Sequence, residues 1–198
     1  MNRKEEISNG VNKIVFIVGM TGSGKSIASD ELVRNGFGFV RFGQIVLDKI
    51  KEEGLEVSEK NERSIREGLR KEYGMAAFAT LNIPKFDELL KEGNVVGDGL
   101  YSWSEYKVLK EKYGDSMTVI AIYAPPEVRY ERLVNRSVEN DEKQRFRSTT
   151  KEESMARDYA EIENVEKGGP IAMADYTIIN TGTIEELKQK VREILSMI

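Results

Sequence analysis

The sequence contains no cysteine and no histidine. Their absence removes disulfides, thiolate nucleophiles, the usual zinc sites and any serine–histidine catalytic pair. The chemistry left to the chain is that of carboxylates, lysine, arginine, hydroxyls and an oxygen-bound metal. No apolar run approaches the roughly eighteen residues that a membrane span requires. The N-terminal stretch MNRKEEISNG is polar rather than signal-like, so a cytoplasmic protein is expected. A strongly basic balance is also lacking. With a net charge of −4 there is no global field for nucleic acid or anionic lipid, and any anion must be held by a local cluster of Lys and Arg. What is present is 39% apolar and 32% charged residues in a chain of 198, enough for one large globular domain. Residues 1–10 have few groups to bury and are expected to form a mobile tail ahead of a single domain spanning 11–198.

One stretch organises the rest. Lys13 to Ser26 reads KIVFIVGMTGSGKS, and from Gly19 it matches the phosphate-binding pattern G-x-x-x-x-G-K-[ST]. The run Ile14 to Val18 is β-branched and aromatic, as a strand buried on both faces should be. Gly19, Gly22 and Gly24 allow the backbone to curl with its amides inward, and Lys25 to Asn35 leaves as a helix whose N-terminus favours an anion. Gly19, Met20, Thr21, Gly22, Ser23, Gly24, Lys25 and Ser26 are therefore the expected cradle of a nucleotide polyphosphate. Lys25 would reach the β- and γ-phosphates, and the Ser26 hydroxyl would coordinate Mg2+. The pattern suits ATP and leaves GTP open.

Further along, Phe37 to Phe42 supplies a second strand, and Ile45 to Glu53 a helix ending at Gly54. Ser58 opens a longer charged helix that runs to Tyr73, and a helical stretch follows between Met75 and Glu92 with a bend before Pro84. Asn94 to Gly99 is a short apolar strand ending in an acid and a glycine. It brings Asp98 to the carboxyl edge of the sheet, where an open α/β fold gathers its ligands. Asp98 is expected either to act on the magnesium or to orient the acceptor hydroxyl as a base. Ser102 to Tyr113 has helical spacing, Met117 to Ala124 is a further strand, and Pro125-Pro126 starts a helix carrying Arg129 and Arg132 on one face. The segment from Arg136 to Arg157 is almost wholly polar. It is read as a surface flap, or a solvated loop and helix, able to close an arginine over the transferred group. Ala174 to Asn180 gives the fifth strand. Thr183 and Glu186 form a capping box before a final helix whose apolar stripe is Ile184, Leu187, Val191, Ile194 and Leu195. Mostly helical segments between the strands predict a parallel sheet with right-handed crossovers.

The succession GMTGSGKS, RFGQIV, VVGDG, YAPPEVRYERL, a polar arginine-bearing flap and ADYTIINTGTIEELKQKV resembles the nucleoside monophosphate kinase group of phosphate-loop proteins. It is most similar to the archaeal adenylate-kinase-related and dephospho-coenzyme-A-kinase-like proteins, over about residues 12–197. The resemblance implies a three-layer α/β/α fold with a five-stranded parallel sheet in the order 2-3-1-4-5. It also implies an acceptor-binding helical insertion at about 43–92 and a lid at about 136–158. Two departures concern the acceptor. Phe42-Gly43-Gln44 lacks the aspartate that adenylate kinases carry after the second strand. Tyr101 stands where the related archaeal sequences tend to have arginine.

The reading that follows is an ATP- and Mg2+-dependent phosphotransferase acting on a nucleotide or nucleotide-like molecule. Lys25, Asp98, Arg136, Arg147 and Arg157 are the expected catalytic groups, Ser26 and Asp98 the metal-binding groups, and Gln44, Arg70, Tyr101 and Arg132 the acceptor contacts. A nucleotide-driven switch read by a partner protein is the alternative that the departures favour. A nucleic-acid-dependent ATPase is disfavoured by the acidic balance.

Overall fold

The computed structural model describes residues 12–135 and 149–198. Strand β1 (Ile14–Val18) is buried at every position, and its side chains alternate between two cores. Ile14, Phe16 and Val18 enter one face and Val15 and Ile17 the other. Each core is completed by helices, which makes three layers. Helix α1 (Lys25–Arg34) and the closing helix α9 (Ile184–Leu195) cover the second face through Ala28, Leu32, Leu187, Val191 and Ile194. The first face is covered by α2 (Gln44–Glu52), α3 (Glu59–Tyr73), α4 (Ala77–Leu89) and α5 (Trp103–Tyr113). At its centre Phe16, Phe42 and Phe86 meet with ring centroids 5.4 to 6.0 Å apart.

Strands β2 (Gly38–Arg41), β3 (Val95–Asp98), β4 (Met117–Tyr123) and β5 (Tyr176–Ile179) complete a parallel sheet in the order β2-β3-β1-β4-β5. The expected order is the one observed. Register then positions the chemistry. Ile17 of β1 pairs with Asp98, and Asp98 pairs in turn with Arg41 of β2, so the acid lies beside the point where β1 enters the glycine loop and the arginine one strand further out. No helix among the described residues is long and apolar enough to cross a membrane.

The helix before β3 is one element through Pro84, because Phe78 and Phe86 on either side of the proline are both buried in the first core. Helix α6 begins at Pro126 and ends at Val134, the proline taking a first-turn position where its missing N–H costs no hydrogen bond. The segment read as a surface flap, or a solvated loop and helix, contains the start of α7 (Lys151–Val165), and that helix sinks Ser154 and Asp158 into the protein. It opens with a capping box formed by Thr150 and Glu153. A short helix α8 (Gly168–Ala172) links α7 to β5. Of the expected lid, residues 136–148, with Arg136, Arg145 and Arg147, lie outside the described residues, as does the N-terminal stretch 1–11.

Candidate active site

The glycine loop between β1 and α1 is held from behind. Gly19, Gly22 and Gly24 all have positive φ, and at each of them close approach adds a second requirement. A Cβ on Gly19 would stand 2.3 Å from the Ile122 carbonyl oxygen, and one on Gly24 would stand 2.5 Å from the Asn180 side-chain nitrogen. Asn180 Nδ2 donates to the Ser23 carbonyl at 2.7 Å, and Arg129 Nη1 donates to the Thr21 carbonyl at 3.0 Å. Arg129 is itself fixed by a buried two-pronged pair with Asp158, at 2.6 and 3.1 Å, and by a bond from its Nε to the Ala124 carbonyl. Tyr130 adds its hydroxyl to Asp158 at 3.0 Å. Thus α6, α7 and the turn after β5 all brace the loop. At the loop's end Gly24 caps α1 without any side-chain acceptor, so the first amides of the helix stay available to an anion.

Lys25 lies within this loop, its Nζ donating to the Met20 carbonyl at 2.9 Å. Burial and the neighbouring charge of Lys167 lower its pKa to about 7, against the opposing pull of Asp98 and Glu161. Asp98 is 9% exposed at the end of β3. Two residues beyond Gly99 the Tyr101 phenol is pushed up to about 12, by burial and then by the negative charges of Asp98 and Glu161. Arg157, on α7, donates from Nε to Glu161 at 2.9 Å. The other oxygen of that carboxylate takes the ammonium of Lys167. Glu161 also stands 3.5 Å from the Thr21 hydroxyl of the loop. Although burial works against ionisation, Lys167 and Arg157 hold the Glu161 carboxyl down at about 2.

Of the residues singled out in the sequence, Lys25, Asp98, Tyr101 and Arg157 come together in one electrostatic cluster at the carboxyl edge. The acceptor-side candidates are more dispersed. Arg70 on α3 stacks 5.4 Å over the Phe78 ring, and its buried Nε has no hydrogen-bond partner. Burial lowers its pKa, opposed by the charge of Glu105 nearby. Gln44, the first residue of α2, donates its amide to Asp48 at 2.9 Å. Arg132 points elsewhere. It donates to the Asn180 carbonyl at 3.0 Å, and Asn180 is the residue that holds Ser23, so Arg132 flanks the phosphate loop rather than Gln44 and Arg70.

Four residues of this assembly were not anticipated as functional: Arg129, Asp158, Glu161 and Lys167. A capping-box pattern at Thr150-x-x-Glu153 announces helix α7 and so the common face of Arg157 and Glu161. No local signal announces Lys167, which is 1% exposed although lysine is among the residues least often buried.

The donor set is all oxygen. Ser26 on the first turn of α1 and Asp98 beside the exit of β1 fit magnesium shared with phosphate oxygens, and no group of three or more acidic ligands occurs among the described residues. Such a site suits a metal brought in largely by the nucleotide rather than one caged by protein.

Residues 15–166 match the family model described as an AAA domain. A UPF0200 protein of Thermococcus kodakarensis is 35% identical over 187 residues, covering 93% of this chain and 97% of that protein. A UPF0200 protein of Sulfurisphaera tokodaii is 37% identical over 186 residues, with 94% and 97% covered. An Archaeoglobus fulgidus protein described as UPF0200/UPF0201 is 37% identical over 184 residues, and this chain spans 55% of its length. Among solved structures, shikimate kinase from Bacteroides thetaiotaomicron superposes with a TM-score of 0.57 at 17% identity, covering 93% of this chain and 98% of that one. A gluconokinase from Sinorhizobium meliloti 1021 gives 0.57 at 14% identity, with 94% and 93% covered. At these identities the structural likeness speaks to the fold.

Proposed function

We propose, from the premise that this chain belongs to the UPF0200 family of phosphate-loop, kinase-like proteins, that it transfers the γ-phosphoryl group of ATP to a nucleotide or nucleotide-like acceptor. The single observation that carries the reading is the convergence of the Lys25 amine, the Asp98 carboxylate and the Arg157 guanidinium on a braced glycine loop at the carboxyl edge of the sheet. Phosphoryl transfer asks for little beyond position and charge neutralisation, and this is an arrangement of positions and charges.

In this reading the amides of the loop and of the first turn of α1 receive the β- and γ-phosphates. Lys25 exchanges its bond to the Met20 carbonyl for a phosphate oxygen and regains its proton as it does so. Arg157, oriented by Glu161, adds positive charge to the transferred group. Asp98 accepts the proton of the attacking hydroxyl or holds the metal from beside the loop. Ser26 and Asp98 are the residues that would hold Mg2+, which when bound neutralises charge on the bridging phosphate oxygens. Arg132, next to Asn180, serves the nucleotide end of the donor. Gln44, Arg70 and Tyr101 face the acceptor.

Incubation with γ-labelled ATP, Mg2+ and a panel of nucleoside monophosphates, dephospho-coenzyme A, shikimate and gluconate tests the reading. Labelled nucleotide or dephospho-coenzyme A is the expected product. Labelled shikimate or gluconate would move the acceptor class to that of the structural neighbours. One observation favours a second reading, a nucleotide-driven switch: Gln44 is tied to Asp48 at the surface of α2 and Arg70 lies on Phe78, so two acceptor-side groups are engaged by neighbours in the chain. Slow phosphate release with no labelled acceptor is the outcome that the switch predicts.

A further inference from the structure

Helix α7 is anchored to α6 by the Arg129–Asp158 pair, whereas α8 lies against α5, where a Cβ on Gly169 would meet the Trp103 side chain at 2.9 Å. Helix α6 follows β4 and α5 follows β3, the two neighbours of β1, so the linker Glu166-Lys167 passes over the carboxyl edge beside the glycine loop. The chain turns there in an unusual way. Glu166 has φ 55°, the one positive value at a non-glycine position among the described residues. Glu166 is the C-cap of α7, a place where helices often end in a left-handed residue, glycine being the usual choice because a side chain there is unfavourable.

What it directs is Lys167. The Lys167 amide closes on the Glu161 carbonyl at 3.2 Å, and its ammonium returns to the carboxylate of the same Glu161. That ammonium also lies 4.4 Å from the centroid of the Tyr101 ring. Glu161 thereby holds two cations, Lys167 and Arg157, while standing 3.5 Å from the Thr21 hydroxyl in the loop. As a device for stability this is poor, because a well-packed apolar pair serves a core at least as well as a buried ion pair. It also places Lys167 where its charge opposes that of Lys25, an arrangement that is unfavourable until an anion lies between them.

We propose that Lys167 is a further phosphate-binding residue, its ammonium aimed by the left-handed turn at Glu166 and held by Glu161 over Tyr101 to meet the terminal phosphoryl group of a bound triphosphate. The proposal rests on the donor-loop reading above. Glu161 is then a positioning residue. It keeps the two cations apart at fixed places beside the loop and leaves the phosphate contacts to them.

Calorimetric titration with Mg2+ and either ADP or the β,γ-imido analogue of ATP tests this in the wild type and in Lys167→Gln, which keeps a donor for Glu161 without the charge. The variant is expected to bind ADP within about threefold of wild type and the imido analogue about tenfold or more weakly, the loss of one charge-assisted hydrogen bond. Equal affinities of variant and wild type for both ligands would overturn the assignment. So would equal loss of both together with a lowered melting temperature, since that marks a structural lysine. Should Lys167→Gln not fold, Lys167→Met is read in the same way. A wild type that binds neither nucleotide overturns the donor reading first and this proposal with it.

Discussion

The ordinary pKa of a lysine is 10.5, but at Lys25 that value falls to about 7. The unfolded chain therefore carries a proton between about pH 7 and pH 10.5 that the folded, ligand-free protein does not. The contribution of this group to stability rises with pH across that window. Nucleotide binding works in the opposite sense, because triphosphate oxygens beside the amine restore its proton. Between pH 7.5 and 9 the affinity for Mg·ATP should fall as pH rises. Calorimetry in buffers of different ionisation enthalpy should show net proton uptake on binding, and in Lys25→Met both effects should vanish. Replacing Lys25 with Ala is expected to lower phosphoryl transfer by about a hundredfold or more, the usual scale for a lost electrostatic donor, measured as kcat/KM. Glu166 supports a separate prediction. Glu166→Gly relieves the left-handed backbone and should raise stability by about 1 kcal/mol in denaturant titrations, if the linker keeps its path.

At the scale of elements, the phosphate loop depends on helices packed behind it. Asp158 on α7 fixes Arg129 on α6, and Arg129 fixes the Thr21 carbonyl. Breaking a buried pair on one side leaves an uncompensated charge, so Asp158→Asn should cost about 3 kcal/mol of stability and weaken nucleotide binding as well. Asp158→Asn combined with Arg129→Met should recover part of the stability without recovering the affinity, since the Thr21 carbonyl stays unbraced. Denaturant titrations and nucleotide calorimetry on the two variants separate these effects. The strands behind this assembly were legible because their residues are β-branched, apolar and set off by glycine and acid, as in Val95-Val96-Gly97-Asp98. Helix α7 was announced by Thr150-x-x-Glu153, the same signal as Thr183-x-x-Glu186 before α9, but its polar composition draws attention to solvent instead. Lys167 had no comparable announcement. Its burial is created by a turn at Glu166 and a carboxylate one helical stretch away, and neither is visible in the residue type.

At the scale of the molecule, sheet order decides which side chains meet. With β1 between β3 and β4, the loop after β1 is approached by Asp98 from one flank and by α6 from the other, and the turn after β5 closes beneath Gly24. Strand order followed from the family resemblance and the position of Asp98 at the carboxyl edge from the pattern of its strand, whereas the register that sets Asp98 beside Ile17 is seen only in the fold. The acceptor side is less determined by the sheet. The proposed acceptor contacts Gln44, Arg70 and Tyr101 stand on α2, α3 and the turn after β3, and their mutual placement depends on helix packing through Phe42, Phe78 and Phe86 that no short motif encodes. The claim on which all of this depends is that Gly19 to Ser26 holds a nucleoside triphosphate. Titration calorimetry with Mg·ATP tests it most directly: the account predicts saturable binding of one nucleotide per chain, displaced by pyrophosphate and strongly weakened in Lys25→Ala, whereas no heat, or heat unchanged by both pyrophosphate and Lys25→Ala, would contradict it.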